Sequence, residues 1–150
     1  MAVHCLHHFN IRSSQVELLV LRDFYCDVIG LALGPRPPFR SAAFWLYADG
    51  VPVLHLTAAA ASESLPAVAE RHSAADHIAF RCSDLEGTLE RLRQHGVVHS
   101  IDSVPLVNQV QIFLRDPSGV GVELNFVSAG GVAGVMSSDP APGKGLHPGR

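Results

Sequence analysis

His8-Phe9-Asn10-Ile11-Arg12-Ser13-Ser14-Gln15-Val16-Glu17 and His77-Ile78-Ala79-Phe80-Arg81-Cys82-Ser83-Asp84-Leu85-Glu86 are the two stretches whose comparison decides the fold. Each opens on a histidine, with an arginine four residues on, a serine six on and a glutamate nine on. The spacing Ser-x-x-Glu is that of a capping box, in which each side chain satisfies an orphan backbone N–H at a helix start. The agreement continues at the far end. His55 lies 47 residues after His8 (55 − 8) and Glu123 lies 46 after His77 (123 − 77), each a few residues past a turn glycine, Gly50 or Gly119. So many matched offsets point to a duplicated module.

Working outward, each half reads as strand, capped helix and three strands. In the first half, Val3 to Arg12 reads as a strand. Val16, Leu19, Val20, Phe24 and Val28 recur at helical spacing as a buried stripe, and Gly30 stops that helix. Leu31 to Gly34 forms a short strand, Pro35, Pro37 and Pro38 an extended loop, and Ala42 to Ala48 with Val51 to Thr57 a hairpin turning at Asp49-Gly50. A linker from Ala58 to Ala74 holds one or two helical turns between Leu65 and His72. In the second half Ala75 to Cys82 is a strand, and Ser83 with Glu86 caps a helix buried through Leu85, Leu89 and Leu92 and stopped by Gly96. Val97 to Val104, Val107 to Arg115 and Val120 to Phe126 are strands, the last two joined by Asp116-Pro117-Ser118-Gly119. The expected architecture is α+β: two βαβββ modules, about 4–57 and 75–126, forming one curved, mostly antiparallel sheet with the helices outside. Residues 1–127 make one domain, and 128–150, dominated by Gly, Pro, Ser and Ala, a flexible tail that contributes little to the core.

Strand alternation turns the repeat into chemistry. Phe9 and Ile11, Leu54 and Leu56, Ile78 and Phe80, and Val122 and Leu124 take the helix side of their strands. His8, His55, His77 and Glu123 then share the opposite face, which curvature would make a cup. Three imidazoles and one carboxylate there form a divalent-metal site of N/O character. His8, His77 and Glu123 are the core of the expected site and His55 its fourth member, as ligand or as a base. Gln111, Phe113 and Arg115 line the same face. Trp45 and Tyr47, or alternatively Phe44 and Leu46, supply an apolar wall. Arg12 and Arg81 either hold an anionic substrate or stand solvated at strand ends. His7 turns toward the helix layer or an edge, and His95 complements the dipole at a helix end.

Composition narrows the class. The 150 residues suit one domain, and a formal net charge of −3 without a basic stripe argues against nucleic acid. No apolar run is long enough to cross a membrane, and Met-Ala-Val-His-Cys does not read as a signal peptide. Cys5, Cys26 and Cys82 sit inside apolar patterns and read as buried, reduced thiols of a cytoplasmic protein.

Leu6-His7-His8-Phe9-Asn10, Arg22-Asp23-Phe24-Tyr25 followed by Gly30-Leu31, Asp76-His77-Ile78-Ala79-Phe80, and Asp116-Pro117-Ser118-Gly119 running into Val122-Glu123-Leu124 together resemble the vicinal oxygen chelate superfamily. That group includes glyoxalases, extradiol dioxygenases and bleomycin-resistance proteins, and the resemblance covers about residues 4–126. It implies one divalent metal (Fe, Ni, Zn, Mn or Co) held by His8, His55, His77 and Glu123. It further implies a small substrate with vicinal oxygens and a lyase or isomerase reaction through a metal-stabilised enolate, with Glu123 or His55 as base. Homodimerisation is implied too, with modules paired within a chain or swapped between chains. The alternatives are a ring-cleaving dioxygenase using Fe(II) and a non-enzymatic small-molecule binding protein. Phe113 stands where the dioxygenase branch carries a tyrosine, and the chain has two modules rather than four.

Overall fold

The computed structural model describes residues 2–38, 41–60, 62–70, 74–104 and 108–127. Its elements run β1 (Phe9–Ser13), α1 (Gln15–Asp23), a π-helical segment (Phe24–Ile29), β2 (Ala32–Gly34), β3 (Ala43–Ala48) and β4 (Val51–Ala58). After a 3-10 turn (Val68–Glu70) come β5 (His77–Cys82), α2 (Leu85–Gln94), β6 (His99–Val104), β7 (Gln109–Arg115) and β8 (Gly121–Val127). The two halves have the same connectivity: strand order β1-β4-β3-β2 in one sheet and β5-β8-β7-β6 in the other. In each, the first strand pairs in parallel with the fourth and the other pairings are antiparallel. The duplicated module is thus present, as two four-stranded mixed sheets. Among the described residues no strand of one sheet pairs with a strand of the other, where one continuous sheet was expected.

Local chemistry explains most element ends. Ser14 and Glu17 close a full capping box on α1, with bonds of 3.2 and 3.0 Å. The widened turn after α1 ends where Gly30, at φ 94°, takes the left-handed conformation and both Gly30 and Leu31 donate their N–H to the Tyr25 carbonyl. The second helix departs from expectation. Asp84, not Ser83, is its cap: at φ 59° its carboxylate accepts the Gly87 N–H at 3.0 Å, and Glu86 falls too close to the cap to complete a box.

The stripe on α1 also differs. Leu18 and Leu21 are buried, followed by Phe24, Tyr25, Val28 and Ile29, while Val16, Leu19 and Val20 are exposed. Apolar residues fill nearly every position from Val16 to Leu21, so two stripes were available and packing on β1, β3 and β4 selects the second. The first strand starts at Phe9 rather than Val3, leaving residues 2–8 exposed and outside any strand. Cys5 is therefore exposed, not buried, whereas Cys26 and Cys82 are half-buried, with thiols pushed up mainly by burial. The expected flexible tail lies outside the described residues.

The modules meet on their helical sides. Arg91 of α2 donates to the Val28 carbonyl at 2.8 Å, and the buried Tyr25 hydroxyl donates to Asp116 Oδ2 in the β7–β8 turn at 2.9 Å. One hydrophobic core runs through both halves, from Leu18, Leu21 and Leu54 to Leu92, Ile112 and Leu124. Packing on this layer leaves the opposite face of each sheet for chemistry. Among the described residues no helix is long and apolar enough to cross a membrane.

Candidate metal centre

Strand register places the second half of the site. His77 lies beside Gly121, Ala79 beside Glu123 and Arg81 beside Asn125, while β7 sets Phe113 against Glu123 and Gln111 against Asn125. All these positions share the non-helix face. His77 Nε2 stands 3.1 Å from Glu123 Oε2, and His77 Nδ1 stands 2.9 Å from Asp76 Oδ2. The carboxylate of Asp76 only accepts, so Nδ1 is the donor of that bond, and Nε2 faces a second carboxylate. An Nε2–H donated to Oε2 satisfies this contact, and the same nitrogen and oxygen are donors of the kind a divalent metal takes. Glu123, 6% exposed, has its other oxygen held by Gln111 Nε2 at 2.6 Å and Asn125 Nδ2 at 2.9 Å. Oε2 is thereby left as the oxygen facing His77. Phe113 meets the His77 ring edge-on, centroids 5.9 Å apart.

Gly121 lets this pair form. A Cβ there would sit 2.4 Å from the Asp76 carbonyl oxygen and 3.0 Å from His77 Cβ. Gly121→Ala should therefore push β5 away at His77, destabilise the fold by about 1–3 kcal/mol, and weaken metal binding. Denaturant unfolding and a metal titration measured together check this, and an unchanged metal affinity would contradict it.

The first half of the site is a stack of rings. Trp45 lies parallel to His55 at 4.1 Å, and His55 lies against His8 at 3.9 Å. Trp45 thus takes the wall position left open between two strand faces. His55 is 8% exposed and its buried Nε2 has no hydrogen-bond partner. Burial first, then the neighbouring His8 and His7, hold its pKa below the usual imidazole value, which keeps it neutral with a lone pair to give. His8 lies just before β1, exposed, its Nδ1 2.8 Å from His7 Nδ1. His7 pairs with a ring of the candidate site rather than the helix layer. Asn10 and Thr57 complete the face with a side-chain bond of 3.1 Å.

The donor set suits a divalent ion of N/O preference: the orphaned buried imidazole nitrogen of His55, and the His77–Glu123 imidazole–carboxylate pair. Within one chain, however, the four residues form two pairs. Among the described residues, no group of three or more His, Cys, Asp or Glu is placed to hold a metal. Asp76, Gln111 and Asn125 as supports of His77 and Glu123 went unread in the sequence as such. Gln111 and Asn125 share strand parity with Glu123, and that was the available signal.

Two βαβββ modules, each presenting a polar pair from the start of its first strand, or the residue just before it, and from its last strand, define a two-module, cup-forming class of α+β protein. The chain belongs to the Glyoxalase/Bleomycin resistance protein/Dioxygenase superfamily, whose family model matches residues 6–124. Its fold is similar to that of a glyoxylase/bleomycin resistance protein/dioxygenase domain from Frankia sp. EAN1pec: TM-score 0.64, 16% identity, covering 86% of this chain and 96% of that one. It is also similar to the fosfomycin resistance protein FosX from Listeria monocytogenes: TM-score 0.61, 13% identity, covering 85% and 97%. A lactoylglutathione lyase from Agrobacterium tumefaciens gives a TM-score of 0.57 at 19% identity, covering 83% and 95%. At these identities the likeness is one of fold. No curated protein matches the chain.

Proposed function

We propose that the chain is a metal-dependent lyase or isomerase acting on a small substrate with vicinal oxygens. In this reading it works as a cytoplasmic homodimer in which His8 and His55 of one subunit join His77 and Glu123 of the other around one divalent metal. The observation that carries the reading is the His77–Glu123 pair at 3.1 Å, oriented by Asp76 and held by Gln111 and Asn125. The separation of the two pairs within one chain supports assembly between chains. Edge strands β1 and β5, with no strand neighbour on their outer sides among the described residues, are where two copies would meet.

When bound, such a metal acts as a Lewis acid that stabilises an anionic oxygen developing on the substrate. The chain's own residues do the rest. Glu123 Oε2, released from the metal, or His55 would take the proton from the carbon beside the carbonyl, while the amides on Oε1 hold the Glu123 carboxylate in place. Trp45 covers the buried His55 ring, and Phe113 meets the His77 ring edge-on. Phe113 donates no hydrogen bond, which disfavours ring-cleaving oxygen chemistry. A non-enzymatic binding protein is the second reading, and the Trp45–His55–His8 stack favours it as a platform for a planar ligand.

Mixing variants tests the assembly. A His8→Ala/His55→Ala chain and a His77→Ala/Glu123→Ala chain should each lack stoichiometric metal. Co-refolded in equal amounts, they should recover about one quarter of the wild-type metal, since half the dimers hold one intact site of two. No recovery, or a monomer by light scattering, would refute sharing of the site. A protein without tightly bound metal in any form would leave the binding reading in front.

A further inference from the structure

The duplicated module supplies an internal control for its two arginines. Arg12 and Arg81 occupy the same place in their modules, four residues after the histidine, on the polar face of the edge strand. Arg12 is neutralised by an ion pair with Glu63. Arg81 has no ion pair or hydrogen bond among the described residues and stands exposed. It lines a depression of about 160 Å³ with Ala79, Gln109, Asn125 and Val127.

That depression adjoins the candidate metal pair. Arg81 is in register with Asn125, one side-chain row along from Glu123, a step of about 6–7 Å. Ala79 separates His77 from Arg81 along β5 and leaves the floor between them open. Asn125 belongs to both places. Its Nδ2 must donate to Glu123, because a carboxylate only accepts, so its Oδ1 points away, buried and without a donor. A guanidinium without a counter-charge among the described residues thus faces one small hollow, with Asn125 in its lining.

We propose that this hollow is an anion subsite and that the substrate is a small oxyacid, its carboxylate or phosphate bound by Arg81 beside Asn125. The planar fork of Arg81 suits a two-oxygen anion. The row spacing sets the anion several bonds from the oxygens at His77 and Glu123. This deepens the function proposed above and rests on it only for where the vicinal oxygens sit.

Calorimetric titration of the full chain with its metal tests this. The probes are 2-oxoglutarate, its distal phosphonate analogue 2-oxo-4-phosphonobutanoate, and 2-oxopentanoate, which keeps the vicinal oxygens and lacks the distal charge. Wild type should prefer a distally charged probe over 2-oxopentanoate by roughly ten- to a hundredfold. Whichever of the two binds tighter identifies the anion as carboxylate or phosphate. Arg81→Ala should lose the preference with metal content unchanged, Arg81→Lys should keep part of it, and Arg12→Ala should keep all of it. Equal affinities in wild type, a preference that survives Arg81→Ala, or equal losses in Arg12→Ala and Arg81→Ala would overturn the proposal. A preference dependent on Arg81 in a protein without metal would leave the subsite standing and remove the metal reading alone.

Discussion

His77→Ala and Glu123→Ala should each abolish stoichiometric metal while the protein still folds. The reasoning is local. His77 Nε2 and Glu123 Oε2 stand 3.1 Å apart on the polar face. Removing either leaves a single donor in its half of the site. Loss of an outer partner of a metal ligand already costs about 10- to 100-fold in affinity, so loss of a ligand should exceed that. Neither residue belongs to the apolar core, which closes on the other face of the sheet. The fold of Glu123→Ala should hold, although Gln111 and Asn125 lose their acceptor and must turn to water. Elemental analysis of untagged protein with far-ultraviolet circular dichroism reads both effects. Asp76→Asn is the graded companion: it keeps the ligand but weakens the fixed tautomer, so affinity should fall less. Metal content unchanged in His77→Ala would sink the metal-dependent reading, and the stacked rings would then be sought as a ligand platform.

The pair His77–Glu123 was legible in the sequence because strand parity is a short-range rule. His77, Ala79 and Arg81 must alternate with Ile78, Phe80 and Cys82, and the same rule holds for Glu123 among Val122 and Leu124. The matched offsets likewise required the same connectivity twice, and both sheets have it. Three features were not legible, each for a different reason. The buried face of α1 was ambiguous because valine and leucine occupy both candidate stripes, so only tertiary packing separates Leu18 and Leu21 from Val16 and Val20. The start of β1 was overextended because Val3 and Leu6 are apolar, yet a strand also needs a neighbour, and within one chain residues 2–8 have none. The division of the four candidate ligands into two pairs depends on how the modules dock, through Arg91 and Val28 and through Tyr25 and Asp116. Such long-range contacts leave no periodicity to read.

Asp116→Ala should cost about 3–5 kcal/mol, because it empties a buried carboxylate site on which four donors converge. Asp116 is 4% exposed. Its Oδ1 accepts the Ser118 N–H and Oγ–H, both at 2.8 Å, and the Val120 N–H at 2.9 Å, while Oδ2 accepts the Tyr25 hydroxyl. Three of these bonds shape the turn between β7 and β8, the strands that carry Gln111 and Glu123. The fourth ties that turn to the first module. For a chain of this size the loss corresponds to a fall in Tm on the order of 10 °C. Tyr25→Phe should cost less, about 1–3 kcal/mol, since the turn keeps its three bonds and one carboxylate oxygen loses its donor. A double-mutant cycle should show strong coupling, because the Tyr25 penalty vanishes once Asp116 is gone. Tyr25 also predicts a pH effect with a definite sign. Burial first, then the Asp116 charge and the hydrogen bond, raise its phenol far above the usual value. The unfolded chain releases that proton near pH 10, while the folded chain keeps it. Stability should be fully present below that pH and fall above it, by up to about 1.4 kcal/mol per pH unit from this group. Subtracting the Tyr25→Phe profile from that of wild type isolates the contribution. Parallel profiles above pH 10, or an Asp116→Ala loss under about 1 kcal/mol, would show that the buried bond between the modules does not hold them together.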